Sequence, residues 1–173
     1  MILDNLAYAI VALTAGVLLF LLPTASHRSF LLFLAKTRKP PGLGSDWMGE
    51  PPVVTVQLPV YNELHVVERL IDAAARLRYP LDKLEIQVLD DSTDETWRVA
   101  EARVHHWRAR GRQIQHLGRA NRTGYKAGAL KHGLARSGGE FVLILDADFV
   151  PPSDLIESLL PPFADVSVGM VQA

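Results

Sequence analysis

The 173-residue sequence contains no cysteine. Disulfides, thiolate metal sites and a cysteine nucleophile are therefore excluded. An excess of either charge is also missing: 18 Lys and Arg stand against 19 Asp and Glu, a formal net charge of −1. Bulk electrostatics thus give no reason to expect a nucleic-acid partner. Two glycine signatures of nucleotide binding are absent as well. No G-x-x-x-x-G-K-[ST] occurs, and no G-x-G-x-x-G follows a strand. There is no internal repeat and no low-complexity tract.

Hydrophobic residues make up 49% of the chain but are unevenly spread. Leu6–Leu22 reads LAYAIVALTAGVLLFLL, without a charge. With Met1, Ile2 and Leu3 it approaches the ~20 residues that cross a bilayer. A signal peptide carries positive residues ahead of its apolar run and a small-residue cleavage site behind it. Here Asp4 precedes the run and PTASHRS follows it. The positive residues Arg28, Lys36, Arg38 and Lys39 come after the span, which sets the remainder of the chain on the cytoplasmic side. Residues 1–25 are thus expected to form a transmembrane anchor. SFLLFLA (Ser29–Ala35) is too short for a second span and is expected to continue the helix along the interface as an amphipathic segment. KPPGLGSDWMGEPP (Lys39–Pro52) is rich in Pro and Gly and reads as a linker. Residues 26–52 are then juxtamembrane segment and linker, and 53–173 the folded domain.

That domain alternates strand and helix signals. Val53–Val60 is a β-branched run, and Val66, Val67, Leu70, Ile71, Ala74 and Leu77 follow at helical spacing. LEIQVLD, IQHLG and FVLILD read as three more strands, separated by helical patterns that end at Gly111 and at Gly138 and Gly139. PSDLIESLLPPF reads as a last helix, and VGMVQA as the opening of one more strand. Such alternation predicts an α/β fold with a mostly parallel sheet and flanking helices. Parallel strands are buried on both faces, so FVLIL ahead of Asp146 is expected to be fully buried. Ligands of such sheets bind beyond the carboxyl ends of the strands, and the notable polar residues fall there.

Four motifs occupy those ends. PVYNE (Pro59–Glu63) offers a flat ring in Tyr61, with Asn62 and Glu63 placed to cap the next helix. LDDSTDE (Leu89–Glu95) places Asp90 and Asp91 side by side. Ser92 or Thr93 is expected to cap the following helix, and Asp94 to sit on its first turn. RANRTGYKAGAL (Arg119–Leu130) gathers Arg119, Arg122 and Lys126 at a helix start, while Gly124 and Gly128 permit close backbone approach. Cations at a helix N-terminus suit a diphosphate, though a solvated basic face has the same composition. In LDADF, strand alternation is expected to turn Asp146 and Asp148 to one side. Paired carboxylates repel unless a proton or cation intervenes, and Mg²⁺ or Mn²⁺ suits them. An aspartyl-phosphate enzyme also uses D-x-D, but after its first strand; here the motif comes late. A nucleotidyltransferase wants glycine right after strand one, and PVYNELH has none.

Together, VQLPVYNE, IQVLDDSTDET, NRTGYKAGAL and LDADF occur in an order that resembles inverting family 2 glycosyltransferases. The likeness is greatest to the cellulose synthase superfamily, in particular the cellulose-synthase-like mannan and glucan synthases, and covers residues 53–173. The resemblance implies a GT-A, Rossmann-like fold and sugar transfer from a nucleotide-sugar donor, UDP-glucose or GDP-mannose, to a glycan acceptor at a membrane. A glycolipid-forming glucosyltransferase is the related alternative. It implies that Tyr61 and the Asp90/Asp91 pair hold the base and ribose, with Asp91 on the base, and that Pro59 and Glu63 belong to the same donor site. Arg122 and Lys126 then meet the diphosphate, and Asp146, also a donor-site residue, and Asp148 form the metal site, with Asp148 as the direct ligand. The family's general base and its Q-x-x-R-W motif lie beyond D-x-D and are not among these residues. The domain is therefore expected to be the incomplete, donor-binding part of a multi-pass enzyme, without activity alone or as a non-catalytic remnant.

Overall fold

A computed structural model describes residues 2–37, 47 and 49–172. Arg38 and Lys39 of the positive flank, most of the 39–52 linker and Ala173 lie outside the described residues. Helix α1 (Ile2–Thr37) is continuous and carries Pro23 within it. Val17–Leu22 is apolar at every position, so the helix has no polar face there to turn toward water. The stretch Ile10–Leu34 spans 25 residues at a mean hydropathy of 1.8, and none of it is buried. It is long and apolar enough to cross a membrane by length and composition. Ser29–Ala35 does continue the helix, and the apolar stretch runs on through it to Leu34.

The second unit is built on four parallel strands, β1 (Val54–Val60), β2 (Leu84–Asp90), β3 (Gln113–Leu117) and β4 (Phe141–Ile144), in the order β3-β2-β1-β4. Helices α2 (Val67–Ala75), α3 (Thr96–Arg108), α4 (Tyr125–Leu134) and α5 (Leu155–Leu159) lie between and after them. Alternation along β1 and β2 sorts the sheet into two unlike faces. Val54, Val56, Leu58 and Val60 join Leu84, Ile86 and Val88 in one apolar cluster with Val67, Leu70, Ile71 and Ala74 of α2 and Ala100 and Val104 of α3.

The opposite face, under α4, is polar. Thr55 donates to Glu85 (2.9 Å) and Gln57 to Gln87 (3.1 Å), each pair directly opposite in register. Ser137 Oγ and the Gly139 N–H both donate to the Thr55 hydroxyl. α4 can lie close over this ladder because a Cβ at Gly133 would come within 2.8 Å of Gln57, Leu89 and Gln87. β1 and β2 are thus covered on both faces, but on one of them the side chains are hydrogen-bonded polar groups. Every buried polar group so paired avoids the cost of lost hydration.

The expectation of a fully buried fourth strand is corrected. β4 is an edge strand, and Val142 and Ile144 are 37% and 48% exposed beside the polar ladder. The helix expected to end at Gly138 stops at Leu134, and residues 169–172 form no strand.

α2 and α3 are clamped by Asp72, whose carboxylate accepts from Arg103 Nε (2.5 Å) and Trp107 Nε1 (2.8 Å). Burial pushes this carboxyl up, but the Arg103 and Trp107 hydrogen bonds more than offset it and leave it below its ordinary 3.8. A depressed carboxylate stabilises the fold above its unfolded pKa, and the contribution is lost as pH falls through the folded value. Asp72→Asn should therefore cost about 2 kcal/mol at neutral pH. In urea titrations that gap should narrow as pH falls below the ordinary carboxylate range; a gap independent of pH would refute the charged clamp.

Candidate active site

Strand order explains where the motifs meet. From β1 the chain steps outward to β2 and β3, then returns to the other side of β1 as β4. Such a reversal leaves a crevice at the carboxyl ends of the two strands that flank it. A cleft of about 570 Å³ opens there, between the ends of β1 and β4. Pro59, Tyr61, Glu63, Asp91, Arg122, Lys126, Asp146 and Asp148 line it, with Val60, Ala129 and Ala147. Residues up to 89 positions apart in sequence, from Pro59 to Asp148, therefore share one wall.

Asp90 does not line this cleft. Its side chain is fully buried; Oδ2 lies 2.9 Å from His116 Nε2 and Oδ1 accepts from the Ser92 N–H at 2.8 Å. Strand alternation separates the two neighbours: Asp90 turns toward the face where Trp97 of α3 stacks on His116 at 4.2 Å, whereas Asp91 lies past the strand end. The Asp90/Asp91 pair of the sequence is thus split between a buried link and the cleft.

Ser92 and Thr93 are not the helix caps they were expected to be. Asn62, in a left-handed conformation (φ 54°), donates its N–H to Ser92 Oγ (2.9 Å), and its Oδ1 accepts from the Thr93 N–H (2.9 Å). These bonds tie the β1–α2 loop, which carries Tyr61, to the β2–α3 loop, which carries Asp91. Asn62 and Glu63 cap no helix with their side chains; α2 begins only after Val66. Asp94 takes the helix-end role, accepting from the Thr96 N–H at 2.9 Å, and the Thr96 side chain together with that N–H holds its carboxyl below the usual range.

The basic motif divides into three tasks. Arg119 is spent on protein partners: Nε and Nη2 grip both oxygens of Asp91, at 2.7 and 2.5 Å, and Nη1 and Nη2 donate to the carbonyls of Thr123 and Tyr125. The Asp91 pairing holds its guanidinium above the usual value. Arg122 lies at the Tyr61 end of the cleft, its guanidinium 3.2 Å from the Tyr61 ring centroid and 5.2 Å from that of Tyr125. One face of Tyr61 is therefore covered by a cation, and Arg122 Nε is 3.8 Å from Asp91. Lys126 alone reaches across, pairing with Asp146. The turn that carries these cations needs its glycines: Gly124 sits at φ 75°, and a Cβ at Gly128 would strike the Thr123 carbonyl.

Asp146 and Asp148 both line the cleft, by a route other than strand alternation. Strand pairing ends with Leu145, whose N–H meets the Gln57 carbonyl at 3.1 Å, and a turn closed by Phe149 N–H on Asp146 O (3.1 Å) follows. Ala147 within that turn lines the cleft and adds no bulk between the carboxylates. Among the described residues no group of three His, Cys, Asp or Glu gathers as a metal cage. Two exposed carboxylates on a cleft wall nevertheless fit a hard divalent ion that keeps waters and takes further oxygens from a phosphate.

A mostly parallel sheet with its crevice at the strand reversal, lined by D-x-D and a cationic helix start, is the architecture of a nucleotide-sugar transferase of GT-A type. The chain belongs to glycosyltransferase family 2, whose family model matches residues 55–173. Glucomannan 4-beta-mannosyltransferase 2 of Arabidopsis thaliana is 46% identical over 127 residues, 70% of this chain and 24% of that protein. The chain thus spans about a quarter of the length of the curated relatives it matches. Among solved structures, the mannosyltransferase PcManGT of Pyrobaculum calidifontis, in complex with GDP-Man and Mn²⁺, superposes with a TM-score of 0.67 at 32% identity, over 84% of this chain and 43% of that one. Glucosyl-3-phosphoglycerate synthase of Mycobacterium tuberculosis, in complex with Mn²⁺, UDP and phosphoglyceric acid, reaches 0.50 at 27% identity, over 66% of this chain and 39% of that one.

Proposed function

We propose that residues 53–173 are the donor-binding part of a membrane-bound, inverting glycosyltransferase that passes mannose from GDP-mannose to a β-glycan acceptor. One observation carries this reading: the single cleft that unites Tyr61, Asp91, Arg122, Lys126, Asp146 and Asp148 at the strand reversal. The relatives named glucomannan mannosyltransferases and the GDP-Man complex of PcManGT favour GDP-mannose over UDP-glucose and a glycan over a lipid acceptor. Asp91 presents carboxylate oxygens to the N–H edge of the base, with Tyr61 and Arg122 forming the wall beside it. Lys126 supplies positive charge to the diphosphate. Asp146 and Asp148 would hold Mg²⁺ or Mn²⁺, which offsets charge building on the leaving diphosphate. Placing these donors before reaction, in a walled cleft, is what lowers the barrier. The unburied apolar stretch of α1 supports the membrane anchor.

Calorimetric titration of the whole chain in detergent tests the reading. GDP should bind at least about tenfold tighter with Mn²⁺ than with EDTA, and tighter than UDP. Equal affinity with and without the ion would sink the D-x-D assignment, and preference for UDP would sink GDP-mannose. The chain should stay in the membrane pellet after alkaline carbonate; release would remove the anchor.

A further inference from the structure

We propose that Arg119 is a positioning residue that couples the base end of the cleft to its diphosphate end, acting through Asp91. The inference rests on the donor-site reading of that cleft. Its geometry does not fit a diphosphate ligand. A guanidinium has five N–H donors in a fixed fork. Arg119 directs Nε and Nη2 to the two oxygens of Asp91, and Nη1 and Nη2 to the carbonyls of Thr123 and Tyr125. The pair is sequestered, with the side chains of Arg119 and Asp91 only 11% and 6% exposed. Lys126 is 52% exposed and turned to Asp146, as a residue awaiting a soluble anion should be.

The two ends that Arg119 joins lie on separate loops beyond the neighbouring strands β2 and β3. Asp91 follows β2, and the Thr123–Tyr125 turn leads into α4, which carries Lys126. That turn is held in an uncommon conformation, with Gly124 at φ 75° and Tyr125 at φ 49°. A non-glycine residue at positive φ persists only where its surroundings fix it. The carbonyl bonds from Arg119 flank Gly124 and hold the carbonyl of Tyr125 itself. A guanidinium can thus fix the Asp91 carboxylate plane and the turn at once. An ammonium, with its point charge and flexible stem, cannot reproduce the fork.

The test compares Arg119→Lys, Asp91→Asn and the double variant in the full chain in detergent, using GDP with Mn²⁺ as the probe. Arg119→Lys should weaken GDP by about tenfold while the melting temperature stays close to wild type. The double variant should bind no more weakly than the weaker single variant, because Arg119 acts through Asp91. Without nucleotide, Arg119→Lys should speed amide hydrogen exchange at both Asp91, whose N–H meets the Val60 carbonyl, and Thr123–Lys126. GDP affinity within twofold of wild type, or single losses that simply add, would overturn the proposal. So would an Arg119→Lys chain that unfolds, which would make the residue a stability element. If wild type binds neither GDP nor UDP, the donor-site reading itself fails, and unchanged exchange at either loop would then overturn the coupling.

Discussion

Asp148→Asn should abolish the metal-dependent part of nucleotide binding and leave the fold intact. The D-x-D turn puts two exposed carboxylates on the cleft wall, but they do not start alike. Asp146 is already paired with Lys126, so a divalent ion arriving there must compete with an ammonium. Asp148 is exposed and lines the same cleft. Its carboxylate is the one a cation meets without displacing a protein charge. Asparagine keeps the shape and one oxygen but removes the charge that a hard ion needs. GDP affinity in Mn²⁺ should fall to the level seen in EDTA, a loss of roughly 10- to 100-fold. Asp94→Ala is the matched comparison: its carboxylate is engaged by the Thr96 N–H at the start of α3. It should lose some stability and keep the full response to Mn²⁺. Equal losses from the two variants in the same titration would remove Asp148 from the metal site.

Much of the candidate site is legible in the sequence, and what is not legible there has physical causes. Residues at strand ends were assigned to one crevice because parallel sheets bind ligands there. All but one of the residues expected in the donor site do line the cleft. What the sequence did not carry was strand order. Asp91 and Arg119 each lie two residues beyond the register pair Leu89–Leu117 of β2 and β3. With β2 beside β3, their ion pair follows from pairing alone; without that adjacency, Arg119 reads as one more cation near a helix start. The same register sets His116 opposite Val88, one diagonal step from Asp90. Hydrophobic pattern also hid the polar face of the sheet. Thr55, Gln57 and Gln87 interrupt apolar strands in a way that looks tolerable residue by residue. Their meaning emerges only when register brings them together. β4 misled for the opposite reason, since an apolar run reads as buried whether or not a neighbour covers it.

Asp90→Ala should lower stability by about 3 kcal/mol, the cost of leaving two buried hydrogen-bonding groups without their partner. Asp90 is wholly enclosed, with His116 on one oxygen and the Ser92 N–H on the other. Its removal leaves His116, itself 8% exposed, without its partner beneath Trp97. It also leaves the Ser92 N–H without its acceptor. Asp91→Asn should do the reverse. Asp91 lines the cleft, so its loss should weaken GDP by tenfold or more in order of magnitude, by removing the acceptor proposed for the base and the anchor of Arg119. Two adjacent aspartates would then separate completely, one in urea unfolding and the other in nucleotide titration. The reason is the strand itself: successive side chains leave it on opposite faces, and Asp90 is its last residue. Asp90→Asn, which keeps an acceptor for the Ser92 N–H, should fall between wild type and Asp90→Ala in urea. If Asp90→Ala instead unfolds like wild type and loses GDP, the buried carboxylate belongs to the donor site after all, and the split drawn between the neighbours is wrong.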